Sequence, residues 1–134
     1  PYCVSTGVAL QPWSPLARGI LAGAYRGSLD GGTTVRSKGQ DRSRTESLYR
    51  GEMDFDIADR VISLAQKRDC KPAQIAIAWL LSKPGVTSPV VGVSRVEQLH
   101  QLVEACSIEL SPQEIGHLEE LYRPVDNLLS IGTS

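Results

Sequence analysis

Two short apolar runs set the first constraint on this chain, because both read as buried strands and almost everything else reads as helix or polar loop. The first, Gly7-Val8-Ala9-Leu10-Gln11-Pro12-Trp13, is rich in strand-compatible residues and is bounded by Gly7 and the Ser14-Pro15 pair. Pro12 donates no ladder hydrogen bond, so this strand should end near it, at a rim. The second, Pro89-Val90-Val91-Gly92-Val93, closes the segment Val86 to Val93 and is again a buried strand by composition. Helical patterns separate the two runs, which implies parallel pairing through a crossover and an α/β class. Two parallel strands do not make a covered sheet, however. The 134 residues suit one domain in length, while their parts read as a piece of one.

The helical patterns are distinct from one another. From Asp56 to Asp69, Ile57, Val61, Leu64 and Ala65 recur at one-face spacing among charged residues, which predicts an amphipathic helix. Lys71-Pro72 restarts the chain with Pro72 at the first helical position, and Ala73 to Ser82 is apolar nearly all round, which predicts a mostly buried helix ended by Lys83-Pro84-Gly85. A third helix starts with Ser94 as N-cap and Glu97 three residues on, carrying a stripe of Val96, Leu99, Leu102, Val103 and Cys106. Ser111-Pro112-Gln113-Glu114 opens a fourth, with Ile115, Leu118, Leu121 and Tyr122 on one face. The tail after Pro124 reads as irregular.

Two stretches resist this reading. Leu16 to Tyr25 is small and apolar, with glycines at 19 and 23, and suggests close backbone packing. Residues 26–52 form a long polar segment without apolar periodicity. Between 26 and 50, Arg26, Arg36, Lys38, Arg42, Arg44 and Arg50 face only Asp30, Asp41 and Glu46, so the segment is locally cationic. A structureless connection of that length is either a functional lid or disordered.

Composition closes off several function classes. Fourteen Lys and Arg against fifteen Asp and Glu leave a net charge of -1, so no global field recruits a nucleic acid or an anionic membrane. No apolar run reaches the roughly 18 residues that span a bilayer, and no export signal is visible, so a soluble, cytoplasmic protein is expected. Cys3, Cys70 and Cys106 are odd in number and irregularly spaced, which argues against a disulfide framework and reads as three small buried apolar residues. His100 and His117 have no neighbouring cysteine pair, and the sequence contains no Gly-x-x-x-x-Gly-Lys, Gly-x-Gly-x-x-Gly or Gly-x-Ser-x-Gly motif.

At Pro12-Trp13-Ser14-Pro15-Leu16-Ala17-Arg18-Gly19 the chain resembles the aldo-keto reductase family, which carries a Tyr/Trp-Ser-Pro-Leu-Ala-x-Gly stretch after the seventh strand of a TIM barrel. Pro72-Ala73-Gln74-Ile75-Ala76-Ile77-Ala78-Trp79-Leu80-Leu81 is similar to the penultimate barrel helix. Val90-Val91-Gly92-Val93-Ser94-Arg95, followed by Gln98-Leu99, is similar to the eighth strand and the turn beyond it. The resemblance runs from about Pro1 to Pro124 and implies the C-terminal portion of a (β/α)8 barrel, which needs roughly 250 residues in full. Residues 7–13 would then be the seventh strand, 26–52 a long loop, 56–82 helices, 88–93 the eighth strand and 94–122 the C-terminal helices. The family's Asp, Tyr, Lys and His tetrad belongs to the first half of the barrel. None of those motif positions lies here, so no catalytic residue is assigned and this chain alone is expected to be inactive.

What the resemblance implies instead is a grip on NADPH. Phosphate sites in such barrels favour the loops after strands seven and eight. Gly92 would allow close backbone approach, with Ser94, Arg95 and Gln98 as donors beside a helix start; the plainer reading of Ser94 is a helix cap alone. Trp13 would stack on nicotinamide, or else be ordinary core. Ser14 and Leu16 resemble pyrophosphate contacts, and Pro15 sets the turn. Arg36 and Arg42 are candidates for the adenosine 2′-phosphate, against a solvated loop as the alternative. At the adenine, Gln101 can hydrogen-bond a base and Leu102 cannot. The intact protein would reduce an aldehyde or ketone with NADPH; an NADPH-binding regulatory or channel-subunit-like module is the alternative. Exposed strand edges would favour self-association or the missing N-terminal half as partner.

Overall fold

A computed structural model describes residues 1–25, 41–49 and 51–124. Among these, six α-helices are formed: α1 (Tyr2–Thr6), α2 (Asp41–Leu48), α3 (Glu52–Lys67), α4 (Pro72–Leu81), α5 (Val96–Glu104) and α6 (Pro112–Glu119). Short 3-10 turns occupy Ala17–Ala22 and Ala105–Ser107.

α4 is the centre. Gln74, Ile75, Ala76, Ile77 and Ala78 are all buried, as a helix apolar on every side requires. One flank, through Ile75, joins Val61, Leu64 and Ala65 of α3 and Leu118 of α6. Ile77 packs with Leu102 and Ala105, with Leu16, Ala73, Leu81 and Val91 against them. The buried amide of Gln74 is satisfied twice: its Oε1 accepts from the Lys71 backbone N–H at 2.8 Å, and its Nε2 donates to Glu104 at 2.9 Å. A third cluster joins Ile20, Ala24 and Tyr25 to Ala58 of α3, which explains the small residues between 16 and 25.

α6 is clamped by charge as well as by Leu118. Arg68 donates to both carboxylate oxygens of Glu114, at 2.7 and 2.6 Å, and Arg60 pairs with Glu120 at 2.7 Å. Lys83 pairs with Glu119 while lying over the Trp79 ring, whose Nε1 donates to the same carboxylate. The expected cap is present: Ser111 Oγ accepts from the Glu114 backbone, and Glu114 Oε2 accepts from Ser111 N–H at 2.7 Å.

The two strand-like runs meet in parallel, but not as a regular ladder, and no strand is formed among the described residues. Isolated bridges join Leu10 to Val86 and Trp13 to Val90, and the register shifts by one residue between them. Leu10 N–H donates to Gly85 and Thr87 N–H to Leu10; continuation in that register would require donors at positions 12 and 89, and both are proline. Val90 N–H reaches Pro12 C=O instead, at 2.8 Å. The expectation that both runs are buried is overturned. Leu10, Trp13, Val90 and Val93 are exposed, Trp13 by 67%, because no neighbouring strand among the described residues covers them.

Other expectations also shift. The segment 26–52 is not loop throughout: α2 lies in it, with Thr45 fully buried, and α3 starts at Glu52 rather than Asp56, its first turn carrying Glu52 and Asp54 at the positive end of the helix dipole. α5 is capped from Arg95, not Ser94, and most of its stripe is exposed, with Leu102 alone buried. All three cysteines are free: Cys106 is exposed and Cys3 half-buried, so neither is the buried residue expected, while Cys70 is half-buried against the α3–α4–α6 cluster, and burial pushes its thiol up.

Gly85 accepts the first of the bridge hydrogen bonds with φ +86°, and a Cβ there would lie 3.2 Å from Val4 Cγ2 of α1. Gly85→Ala is expected to cost about 1 kcal/mol through left-handed strain and this contact. Chemical denaturation reads it directly, and an unchanged midpoint would contradict it.

Candidate functional site

Because the two extended segments run parallel, the loops leaving their C-terminal ends lie side by side. One is the turn from Ser14 to Gly19; the other carries Gly92 and Val93 into α5. Between them and the start of α4 is a cavity of about 230 Å³, lined by Leu16, Ala22, Lys71, Pro72 and Ala73 on one side. Gly92, Val93, Gln98, Gln101 and Leu102 form the other. Its floor is the cluster around Ile77, since Leu16, Ala73 and Leu102 belong to both.

The turn is strained. Ser14, Ala17 and Arg18 all have positive φ (55°, 47° and 56°), followed by Gly19 at 102°. A non-glycine residue in this region is disfavoured by its Cβ, and each costs of order 1 kcal/mol. The strain is held by Ala17 N–H to Ser14 C=O at 3.1 Å and Gly19 N–H to Leu16 C=O at 2.8 Å. Such clustering of unfavourable backbone geometry is a feature of binding sites, and residue identity alone gave no sign of it beyond Gly19. Behind the turn, Tyr49 packs on the cluster of Ile20, Ala24 and Tyr25. Burial pushes its phenol up and Asp54 adds to this, while Arg18 opposes it.

The sequence-derived candidates divide. Leu16, Gly92 and Gln98 line the cavity together with Gln101 and Leu102. Ser14 and Pro15 are half-buried in the turn but do not line it, and Ser94 and Arg95 are exposed outside it. The backbone amides at Ser94 and Arg95 are not free, contrary to expectation: both donate to Gln98 Oε1, at 3.0 and 3.3 Å. Gln98 therefore spends its carbonyl on capping α5 and keeps its NH2 for other partners. Trp13 is not core; its ring is open to solvent at the end of the first extended segment. Arg36 lies outside the described residues, and Arg42 falls on α2 with its side chain likewise outside them. Sequence reasoning missed Ala22 and the α4 start, where Lys71-Pro72 reads only as helix punctuation.

The cavity is open on the side of Gly92. A Cβ built at Gly92 meets no atom within 4 Å, so the backbone there is open to a ligand. The volume lies below the roughly 300 to 1,000 Å³ of a complete small-molecule site, so it would hold only part of a larger ligand. Among the described residues no group of His, Cys, Asp and Glu is arranged to hold a metal ion, and no helix is long and apolar enough to cross a membrane.

The model of the Aldo/keto reductase family matches residues 1–123. A versiconal hemiacetal acetate reductase of Aspergillus parasiticus is 38% identical over 130 residues, covering 92% of this chain and 35% of that protein. Aldo-keto reductases of Fusarium vanettenii and Alternaria alternata are 38% and 36% identical, over 92% and 91% of this chain and 32% and 31% of their own lengths. The chain thus spans about a third of the length of these relatives. With the Trp13 to Gly19 turn, the α4 sequence and the Val90 to Leu99 stretch converging on one cavity, the match over nearly the whole chain makes it a member of the aldo-keto reductase family.

Proposed function

We propose that this chain is the C-terminal part of a (β/α)8 barrel, with 7–13 and 88–93 as its last two strands, and that it grips NADPH for an aldo-keto reductase acting on an aldehyde or ketone. The carrying observation is the cavity at the C-terminal ends of two parallel segments joined by a helical crossover, where barrels of this kind bind phosphorylated ligands. When bound, the cofactor supplies hydride to the carbonyl carbon. In this reading Leu16 and the strained turn hold the diphosphate, Ser14 and Pro15 fix that turn, and Gly92 gives backbone access. Trp13 offers its exposed face to the nicotinamide, and the free NH2 of Gln98 faces the nucleotide, with Ser94 and Arg95 at the cavity's outer margin. Arg36 and Arg42 remain candidates for the 2′-phosphate. The proton donor belongs to the part of the barrel outside this chain.

Titration of the chain with NADPH is expected to change the cofactor's fluorescence, without carbonyl-dependent consumption of NADPH. Gly92→Leu, which puts a bulky side chain on the open backbone at the cavity's edge, should weaken the response about tenfold, or roughly 1.4 kcal/mol. No fluorescence change with the parent chain would overturn the cofactor reading, and turnover by this chain alone would overturn the division of labour.

A further inference from the structure

Ten residues line the cavity, and one of them is charged. Lys71 stands at the N-cap of α4, directly before Pro72 and Ala73, with its backbone N–H given to Gln74 Oε1. No carboxylate lines the cavity among the described residues, and Glu104, tied to this corner through Gln74 Nε2, is already engaged. Lys71 itself is exposed and enters none of the ion pairs found among the described residues. A lysine stem of four methylenes lets an ammonium anchored at the rim sweep a cavity of this size. The field at that point has the same sign, because the first turn of α4 presents its positive end. By contrast, the arginine nearest in sequence to the second loop, Arg95, stays outside the lining.

From this arrangement we infer that Lys71 is a ligand-binding residue: its ammonium pairs with a phosphate of a phosphorylated adenosine seated in the cavity, between the α4 start and Gln98 and Gln101 of α5. The inference rests on the nucleotide reading of the cavity and adds to it a cation that lines the cavity itself. A point charge on a flexible stem can meet either a 2′-phosphate or a 5′-phosphate, so phosphate is the group recognised.

Calorimetric titration of the chain with adenosine 2′,5′-bisphosphate, and with adenosine as the uncharged comparison, tests it. Lys71→Met keeps the apolar stem and removes the charge. It should weaken the bisphosphate about tenfold and flatten its salt dependence while leaving adenosine binding unchanged. Lys71→Arg should retain affinity within about threefold. Lys67→Met, on the exposed last turn of α3, should behave as the parent chain. Equal bisphosphate affinity in the parent and Lys71→Met overturns the inference and leaves the nucleotide reading intact. So does an equal loss for adenosine and bisphosphate, which would mark a packing role. Failure of the parent chain to bind either compound overturns both readings.

Discussion

Ile75→Ala is expected to lower the unfolding free energy by about 3 kcal/mol, within the range for emptying a closely packed site. Ile75 is completely buried, on the helix that contributes to two of the three core clusters, among Val61, Leu64, Ala65 and Leu118. Its neighbours α3 and α6 are tied to each other by the Arg60–Glu120 and Arg68–Glu114 pairs, which limits how far they can relax into the void. Urea unfolding should show the midpoint falling with little change in slope, since the surface exposed on unfolding is nearly the same. The comparison is Val103→Ala on α5, where the side chain is 60% exposed and the cost should stay below about 0.5 kcal/mol. Similar losses in both variants would mean that α4 is not the centre of the fold.

That pair of substitutions also marks what the sequence discloses. Burial of α4 was legible because a run apolar on every side has no solvent face to offer, and the Ser111 and Glu114 cap was legible because both halves of the box are local. The α5 cap was ambiguous by one residue: Ser94 with Glu97 and Arg95 with Gln98 have the same spacing. Gln98 prevails because its carbonyl reaches two backbone amides at once. Helix α2 was hidden because its sequence has almost no apolar periodicity, and the burial of Thr45 that seats it is a tertiary fact.

Exposure is where pattern and structure differ most. Val8, Leu10, Trp13, Val90, Val93, Val96, Leu99 and Val103 carry the periodicity of buried strands and a core-facing helix, yet all are exposed. The periodicity specifies surfaces to be covered, and the described residues of this chain, which spans about a third of its relatives' length, do not cover them. In the barrel reading, these same residues face the remainder of the sheet and its neighbouring helix. The cavity was half legible: Leu16, Gly92 and Gln98 follow from motifs, whereas Lys71 reaches it only because α4 starts between two loops distant from it in sequence.

Acid should loosen α6 before the rest of the fold, and the Arg68 and Glu114 pair gives the effect its size. Three hydrogen bonds reach this carboxylate, two from the guanidinium and one from Ser111 N–H, and they hold its pKa down from 4.5 to about 2, the guanidinium first among the causes. A group whose pKa is depressed by folding contributes its full stabilisation above its unfolded value and loses it as pH falls toward the folded one, so the window lies between about pH 5 and pH 2. Such a shift converts to about 3 kcal/mol, and with side chains 34% and 22% exposed, screening by water reduces this to about 2 kcal/mol. Lys83 and then burial and Trp79 act on Glu119, where the balance also lowers the pKa, and Arg60 lowers Glu120, so all three carboxylates of the clamp titrate in the same direction. Glu114→Gln removes the largest contribution and keeps the shape. The variant should be less stable than the parent by about 2 kcal/mol near neutral pH, and the two should converge near pH 2. Because ions screen the clamp, 1 M salt, where the Debye length is about 3 Å, should narrow the neutral-pH gap. A Glu114 carboxyl that titrates near 4.5 in the folded chain, or a gap that persists unchanged into acid, would show that α6 is held by Leu118 and its cap alone.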